Sequence, residues 1–442
     1  MATAQNRAVN YLTEVRDQYE NYPYPPRNPA DERGNFKYTY TAALDHLNHY
    51  HFGGKLDVAK GFRALAAGAG TGDAVIMLGE QLRGVKAEIV YLDISQASMQ
   101  VAQSRAKERG LDNITWVHGS LLDAPQLLSE KFDYINCAGV LHHLQSPEAG
   151  LAALAAVLKE GGVMGLMLYA RYGREGVYQM QSLMRILNKG EQDMQRKIDI
   201  CKIVLNNLPR SNGYAQVQHL ATDVRDFGDA GIYDLFLHSQ DVAYTVPDVY
   251  KFLASSKLRP THFLFGAHGE GNNLYKLEHY LGGQLDLTHL SLEENQAGAE
   301  LLHGQIFRHI FYAAKNHAPP PSPGDLGNVP VLAMFLAKDS HKNIANILEP
   351  AAIGQEISFQ LAGMEVRFVK TPNAGRIFEL LDGVRTTGEI IAAIDPAREK
   401  ELHQEFTAIF RAFHLKDWMF LKAKGIPPFR TIDEIQAAMA VK

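Results

Sequence analysis

Apolar positions in this chain follow two rhythms. From Gly61 to about residue 170, short apolar runs alternate with stretches whose apolar residues recur at helical spacing. Arg63–Ala67, Glu88–Leu92, Ile114–Val117, Tyr134–Asn136 and Val163–Leu168 predict strands. Ala74–Gln81, Ser95–Arg109 and Pro147–Leu158 predict helices, the second opened by Ser95 as N-cap and the third closed by Gly161-Gly162. Strands alternating with helices predict a parallel sheet covered on both faces. Residues 171–260 change rhythm: Gly176–Asn188 and Asp193–Leu205 are helical, strand signals are few, and the segment reads as a helical insertion or lid. Thr261–Phe265 returns to strand character, Leu292–Phe307 is helical, and His309-Ile-Phe-Tyr312 is expected to complete the sheet as an edge strand.

The two ends break this pattern. Residues 1–60 are rich in Tyr, Pro, Asn and His; a helix can begin over Tyr11–Arg16, but Tyr22-Pro-Tyr24-Pro-Pro-Arg27 cannot continue it, because proline lacks the N–H and biases its predecessor to extended backbone. This predicts an N-terminal arm over 1–60 and a central domain over 61–316. Pro319, Pro320, Pro321, Pro323 and Pro330, with Gly324 and Gly327, make 317–330 a stiff linker. Beyond it, 331–442 reads as a compact module: strands at Ile357–Leu361 and Glu365–Val369, helices at Gly375–Leu381, Thr387–Ile394 and Arg398–Phe413, and a last apolar piece, Trp418–Lys422.

Composition narrows the class. At 442 residues, 46% hydrophobic and 21% charged, the chain is an ordinary globular one of two or three domains. A net charge of -5 gives no whole-chain footprint for nucleic acid. Two cysteines, Cys137 and Cys201, support neither a disulfide framework nor a structural zinc site, and no metal is expected. No apolar run nears the roughly 18 residues of a membrane span, and the N-terminus lacks an apolar signal region, so a cytoplasmic protein without membrane contact is expected.

Chemistry first shows at Gly68-Ala69-Gly70-Thr-Gly72, where a strand feeds a glycine-rich turn and then a helix. Bare backbone there can meet a ligand, and the helix N-terminus favours a negative group. Asp93 ends the next strand, about 20 residues on, where a carboxylate can accept from both hydroxyls of a ribose. It can equally cap the following helix. Two further stretches stand at strand ends: Trp116-Val-His-Gly-Ser120-Leu121-Leu-Asp123, and Phe132-Asp-Tyr-Ile-Asn136-Cys137-Ala-Gly139-Val-Leu-His142-His143-Leu. In this order and spacing the four stretches resemble class I S-adenosylmethionine-dependent methyltransferases, over roughly residues 61–170. The resemblance implies a Rossmann-like α/β fold with a seven-stranded sheet and S-adenosyl-L-methionine as cofactor. It further implies that Gly68, Ala69, Gly70 and Gly72 face the methionine and ribose, and that Asp93 and Ile94 hold the ribose side. Ser120 and Leu121 then border the adenine, and Asn136 and Cys137 floor the site. Many relatives carry Asp where this chain has Ser120; Asp123 is a candidate substitute.

Three sets of residues are candidates for the reaction itself. His142 and His143 follow the fourth strand and suit a general base, or else cap the following segment. Tyr19, Tyr22 and Tyr24, with Tyr11 and Arg27, form an aromatic arm from which one tyrosine is expected to reach the site, Tyr24 being the foremost catalytic candidate; packing alone is the plainer alternative. Tyr169, Arg171, Tyr172 and Arg174 follow the fifth strand, where they either hold an acidic group or lie in solvent. The segment His238-Ser-Gln-Asp241-Val-Ala-Tyr244 is a further candidate border of the pocket. Asn136-Cys137-Ala-Gly139 is neither the NPPY nor the DPPY type that relatives use on nucleobase or glutamine amino groups, which, with the acidic balance, disfavours a nucleic-acid substrate.

At the C-terminus, Leu380-Leu-Asp-Gly-x-Arg-Thr-x-x-Glu389-Ile resembles winged-helix modules and peptide-binding chaperones of the PqqD type. TGEIIAAIDP carries no Lys or Arg, so protein or peptide contact, or a homodimer, is expected in preference to DNA. The reading is thus a methyltransferase acting on an O or N nucleophile of a protein, peptide or small molecule, with protein or peptide favoured. A catalytically inactive S-adenosylmethionine-binding regulatory or assembly protein is the alternative, and a nicotinamide-dependent oxidoreductase is disfavoured by the glycine spacing.

Overall fold

The computed structural model describes residues 13–264, 274–361 and 364–440. Its centre is a seven-stranded sheet built from β1 (Arg63–Ala67), β2 (Glu88–Asp93), β3 (Ile114–His118), β4 (Phe132–Ala138), β5 (Leu158–Tyr169), β6 (Arg259–Phe263) and β7 (Arg308–Ala314), in the order β3-β2-β1-β4-β5-β7-β6. The first five strands run parallel, and β7 is antiparallel to both its neighbours. The His309–Tyr312 strand therefore lies inside the sheet, with β6 at the edge. The β1–β4 switch, where the chain crosses from one half of the sheet to the other, is the crevice position expected to take ligands.

Strand alternation sorts the side chains into two cores. Ala64, Ala66 and Tyr134 face one core, while Leu65, Ala67, Ile135 and Cys137 face the other. The first face carries helices Leu44–Tyr50, Asp73–Gln81 and Gln96–Arg109; the second carries Pro147–Ala156 and Val246–Ala254. Ser95 caps its helix as anticipated, its Oγ accepting from the Ser98 N–H at 3.0 Å. Gly161 and Gly162 do not close a helix: Pro147–Ala156 ends earlier, and both glycines lie inside β5. Residues 171–260 hold the helices Glu175–Leu187, Met194–Asn206, Gly213–Val217 and Asp223–Ile232, packed as a third core around Met180, Tyr214 and Phe236. Phe265 and Tyr11 lie outside the described residues.

Beyond the sheet, β8 (Asn328–Leu332) pairs antiparallel with β11 (Met419–Ala423), and β9 (Glu356–Leu361) pairs with β10 (Met364–Val369). Helices Ala374–Leu380, Thr387–Ile394 and Glu399–His414 follow that hairpin. Thr386 caps the second of them in a reciprocal box with Glu389. The proline-rich segment lies against the body of the protein: Ala318 bridges Phe52, and Asn328–Leu332 is itself strand.

Candidate active site

A cavity of about 400 Å³ opens over the carboxyl ends of β1, β2 and β4. Its floor is the turn after β1. Gly70 has φ of +52°, and a Cβ placed on it would stand 2.7 Å from the Tyr24 carbonyl oxygen, so only a bare backbone lets the arm close over the turn. The Gly70 N–H donates to Asp93 Oδ2 at 2.8 Å and the Ser95 N–H to Oδ1 at 2.8 Å. Asp93 thus braces the turn ahead of the helix that Ser95 caps, and stays in the cavity wall with lone pairs to spare. Burial pushes its carboxyl up, against these two amide donors.

The arm is fixed to this floor by buried charge. Arg27 chelates Asp73, with N···O distances of 2.9 and 2.6 Å, and Arg105 joins Asp73 at 2.8 Å. Arg105 also binds Glu32 and the Thr71 carbonyl, and Arg109 binds Glu32 and Glu80. Burial raises the Asp73 carboxyl, but the guanidiniums of Arg27 and Arg105 outweigh it and hold it low. The glycine turn, its helix and the arm are therefore one ion-paired block.

Gly68, Ala69, Gly70, Asp93, Ile94, Ser120, Leu121 and Asn136 all line the cavity, as do Tyr24 and His143. Three residues expected there are placed elsewhere. Gly72 packs on helix Gln96–Arg109, where an added Cβ would meet Ala102 at 2.8 Å. Cys137 has the opposite strand parity from Asn136 and lies wholly in the second core, where burial raises its thiol. His142 is fully buried behind His143, its ring 4.0 Å from that of Tyr169 and both nitrogens without a hydrogen bond; burial keeps it neutral. Asp123 does not line the cavity, and Ser120 Oγ caps its own turn through the Leu122 N–H at 3.2 Å.

The arm and insertion form the opposite wall. Tyr24 donates to Asp223 Oδ1 at 2.6 Å and meets Phe227 edge-on at 5.5 Å. Tyr19 donates to Asp234 Oδ1 at 3.2 Å, whereas Tyr22 stacks on Tyr233 away from the cavity. Burial lifts both cavity tyrosines well above the usual phenol range, so they act as neutral donors. At the end of β5 and just beyond it, Tyr169 and Arg174 line the cavity; Arg171 is largely exposed and bonds the Ala243 carbonyl. Arg174 lies 3.5 Å over the Tyr169 ring and 3.4 Å from Asp241, so its charge is already answered. His238 stacks on His143 at 3.8 Å. Asp234 is buried, and burial with the nearby Asp223 pushes its carboxyl up to about 7.

Asp223, Phe227 and Asp234 were not singled out from sequence. The available signal was Asp234 itself: a carboxylate inside the apolar run Ile232–Leu237 must find partners or change its ionisation.

Residues 65–164 match the methyltransferase domain family. An uncharacterized protein of Synechococcus is 33% identical over 246 residues, covering 54% of this chain and 57% of that one. A demethylmenaquinone methyltransferase of Geobacillus kaustophilus is 32% identical over 109 residues, covering 25% of this chain and 46% of that one. PKMT2 of Rickettsia typhi, solved in complex with AdoHcy, shares the fold with a TM-score of 0.60 at 13% identity, covering 92% of this chain and 78% of that one. The chain spans about half the length of the curated relatives it matches. The sheet is thus the Rossmann-like methyltransferase fold, and residues 65–164 form a methyltransferase domain. The cavity fits the S-adenosylmethionine that the sequence resemblance implies: exposed backbone at Gly68–Gly70 and a carboxylate with free lone pairs at Asp93 stand side by side.

Proposed function

We propose that this protein transfers the methyl group of S-adenosylmethionine to an oxygen or nitrogen nucleophile of a protein, a peptide or a small molecule, with protein or peptide favoured. The observation that carries the reading is the continuity of the cavity. One space is walled on one side by the glycine turn, Asp93 and Ser120, and on the other by Tyr19, His143, Tyr169 and Asp234. A cofactor on the first wall leaves its reactive end facing polar groups able to orient an acceptor. A sulfonium methyl is already activated, so the work left to the chain is to position a nucleophile and keep water out.

Each residue then has a task. Gly68–Gly70 and Asp93 hold the cofactor, and Asn136, whose Nδ2 donates to Thr41 Oγ1 at 2.8 Å and to Tyr134 Oη at 2.9 Å, is held rigid in the floor. Tyr24, Asp223 and Phe227 close the cavity from the arm and the insertion. His143 Nδ1 bonds the Gln240 carbonyl at 2.8 Å, and a carbonyl only accepts, so Nδ1 carries the hydrogen and Nε2 is the acceptor. The appended C-terminal unit, with its hairpin ahead of three helices, supports a protein or peptide acceptor, or a homodimer.

The test is incubation of the full chain with methyl-labelled S-adenosylmethionine and a cell extract, followed by separation of products by size. Label in macromolecules is expected. Label confined to small molecules defeats the protein or peptide preference. S-adenosylmethionine binding without any transfer favours the inactive regulatory or assembly role, and calorimetric binding of NAD in place of S-adenosylmethionine removes the reading altogether.

A further inference from the structure

The hydrogen bonds around Asp234 have fixed directions, and together they leave a set of unspent acceptors. The Gln240 N–H donates to His238 Nδ1 at 3.1 Å, so His238 Nε2 carries the hydrogen. That nitrogen lies 3.4 Å from Tyr19 Oη, and Tyr19 passes its own hydrogen to Asp234 Oδ1. Gln18 Nε2 donates to the same oxygen at 3.4 Å, and Tyr169 Oη donates to Oδ2 at 3.5 Å, which leaves Oδ2 one lone pair. Beside this carboxylate, His143 keeps its Nε2 lone pair, because its Nδ1 hydrogen is spent on Gln240.

Ligating atoms of His143, Asp234 and His238 lie within 4.8 Å of one another, a spacing that a metal ion could bridge. Hydrogen accounting argues against one. His238 has its lone pair committed to a backbone N–H, which leaves two ligands where a catalytic metal site takes about three from the protein. Acceptors that close together still call for a positive hydrogen-bond donor. The neighbouring cations are committed, Arg174 to Asp241 and the Tyr169 ring, and Arg27 to Asp73.

We propose that the methyl acceptor is a primary or secondary amine, bound as its ammonium ion with its N–H groups on Asp234 and on Nε2 of His143. This rests on the methyltransferase reading above and narrows it from oxygen or nitrogen to nitrogen. The ammonium gives one proton to His143 Nε2, and the imidazolium so formed stands beside the Asp234 carboxylate, so charge is conserved within the site. Burial penalises a compact, strongly hydrated ammonium more than a delocalised imidazolium, which narrows the gap between their proton affinities. The freed lone pair forms the N–C bond as the C–S bond breaks, with the electron pair left on sulfur. The methylated ammonium then departs, and His143 returns its proton to water. Tyr19 and Tyr24 also line the cavity, and aromatic side chains suit an ammonium stem.

The experiment uses one cell extract in two halves. In one half the amines are acetylated with acetic anhydride, and hydroxylamine then frees any acetylated hydroxyl. Full-length protein and methyl-labelled S-adenosylmethionine are added to both. Label in the untreated half alone, stable to base, is expected; size separation then tells a protein amine from a small one. Equal label in both halves, or label released by base as methanol, overturns the amine while leaving methyl transfer standing. No label in either half overturns both. With the labelled fraction as acceptor, Asp234→Asn is expected to raise KM at least about tenfold, with S-adenosylmethionine affinity unchanged; an unchanged KM removes Asp234 from the site. In the wild type KM is expected to rise as pH falls through about 7, where Asp234 takes a proton among Tyr19, Tyr169, His143, His238, Arg174, Asp223 and Asp241. A pH-independent KM likewise counts against it.

Discussion

Asp93 and Gly70 share one hydrogen bond and make two separable predictions. Replacing Asp93 with Ala removes a carboxylate that accepts from two backbone amides and faces the cavity. Bonds to a charged group are worth about 1.5–3 kcal/mol, so S-adenosylmethionine affinity should fall at least about tenfold by calorimetry. Unchanged affinity rejects the ribose assignment. Gly70→Ala instead places a methyl group against the Tyr24 carbonyl on backbone of positive φ. The left-handed conformation alone costs about 1–2 kcal/mol, and the clash pushes the arm off the turn. The expected signature is loss of cofactor affinity together with faster proteolysis of the 22–33 segment, which Asp93→Ala should not show. Asp234 carries a pH signature in stability. Its carboxyl is raised in the folded chain from 3.8 to about 7, so it favours the fold at low pH, and that contribution is lost as pH rises through about 7. Asp234→Asn lacks the loss. The difference in Tm between variant and wild type should therefore shift in the variant's favour by some degrees between pH 5 and pH 8; a difference flat across that range refutes the assignment.

At the scale of elements, the strands and helices of the sheet were legible because each buried strand is a short apolar run and each helix has a cap. Arg63–Ala67 needs no tertiary knowledge to read as a strand feeding the glycine turn. The Gly161-Gly162 pair misleads for a physical reason: two glycines read as a helix stop, yet β5 begins at Leu158 because Phe132 pairs with that residue. Cys137 and His142 are misplaced by sequence for another. Proximity to a motif says nothing of strand parity, and alternation turns Cys137 away from the face that Asn136 presents. Of the wall from the insertion, Arg174 was legible in the sequence but Asp223 and Phe227 were not, since Tyr24–Asp223 joins positions 199 apart. The arm makes a further prediction. Glu32 answers two buried guanidiniums, Arg105 and Arg109. Removing one partner of a buried pair costs about 3–5 kcal/mol. Glu32→Ala should therefore destabilise the fold by that order in denaturant unfolding, and a loss under about 1 kcal/mol would show that water compensates the arginines.

Across the whole molecule, the proline-rich segment marks a change of sequence style without marking a change of core. The first core runs unbroken from Ala64 and Tyr91 in the sheet, through Leu44 and Leu47, to Phe406, Phe410, Trp418 and Phe420. Polar contacts cross at the same place. Tyr50 donates to Asp417, the Met334 N–H donates to Asp45 Oδ2 at 2.7 Å, the Leu421 N–H donates to His49 Nδ1 at 3.2 Å, and the Ala423 N–H donates to the Gly54 carbonyl at 2.9 Å. Arg430 reaches Glu80 on the helix behind the glycine turn, 3.2 Å from its carbonyl. Cutting the chain before Asn328 would therefore expose one whole side of helix Leu44–Tyr50 and leave Asp45 and Glu80 short of partners, in the layer that supports the cofactor floor. Each large aromatic stripped from a core costs about 3–5 kcal/mol, comparable with a sizeable share of a domain's net stability. A fragment ending at residue 327 should accordingly lose its cooperative melt and its S-adenosylmethionine binding together, even though it keeps every residue that lines the cavity. If that fragment instead melts cooperatively and binds the cofactor as the full chain does, the C-terminal unit is a passenger on the domain, and the shared core contributes adhesion between two independently stable bodies.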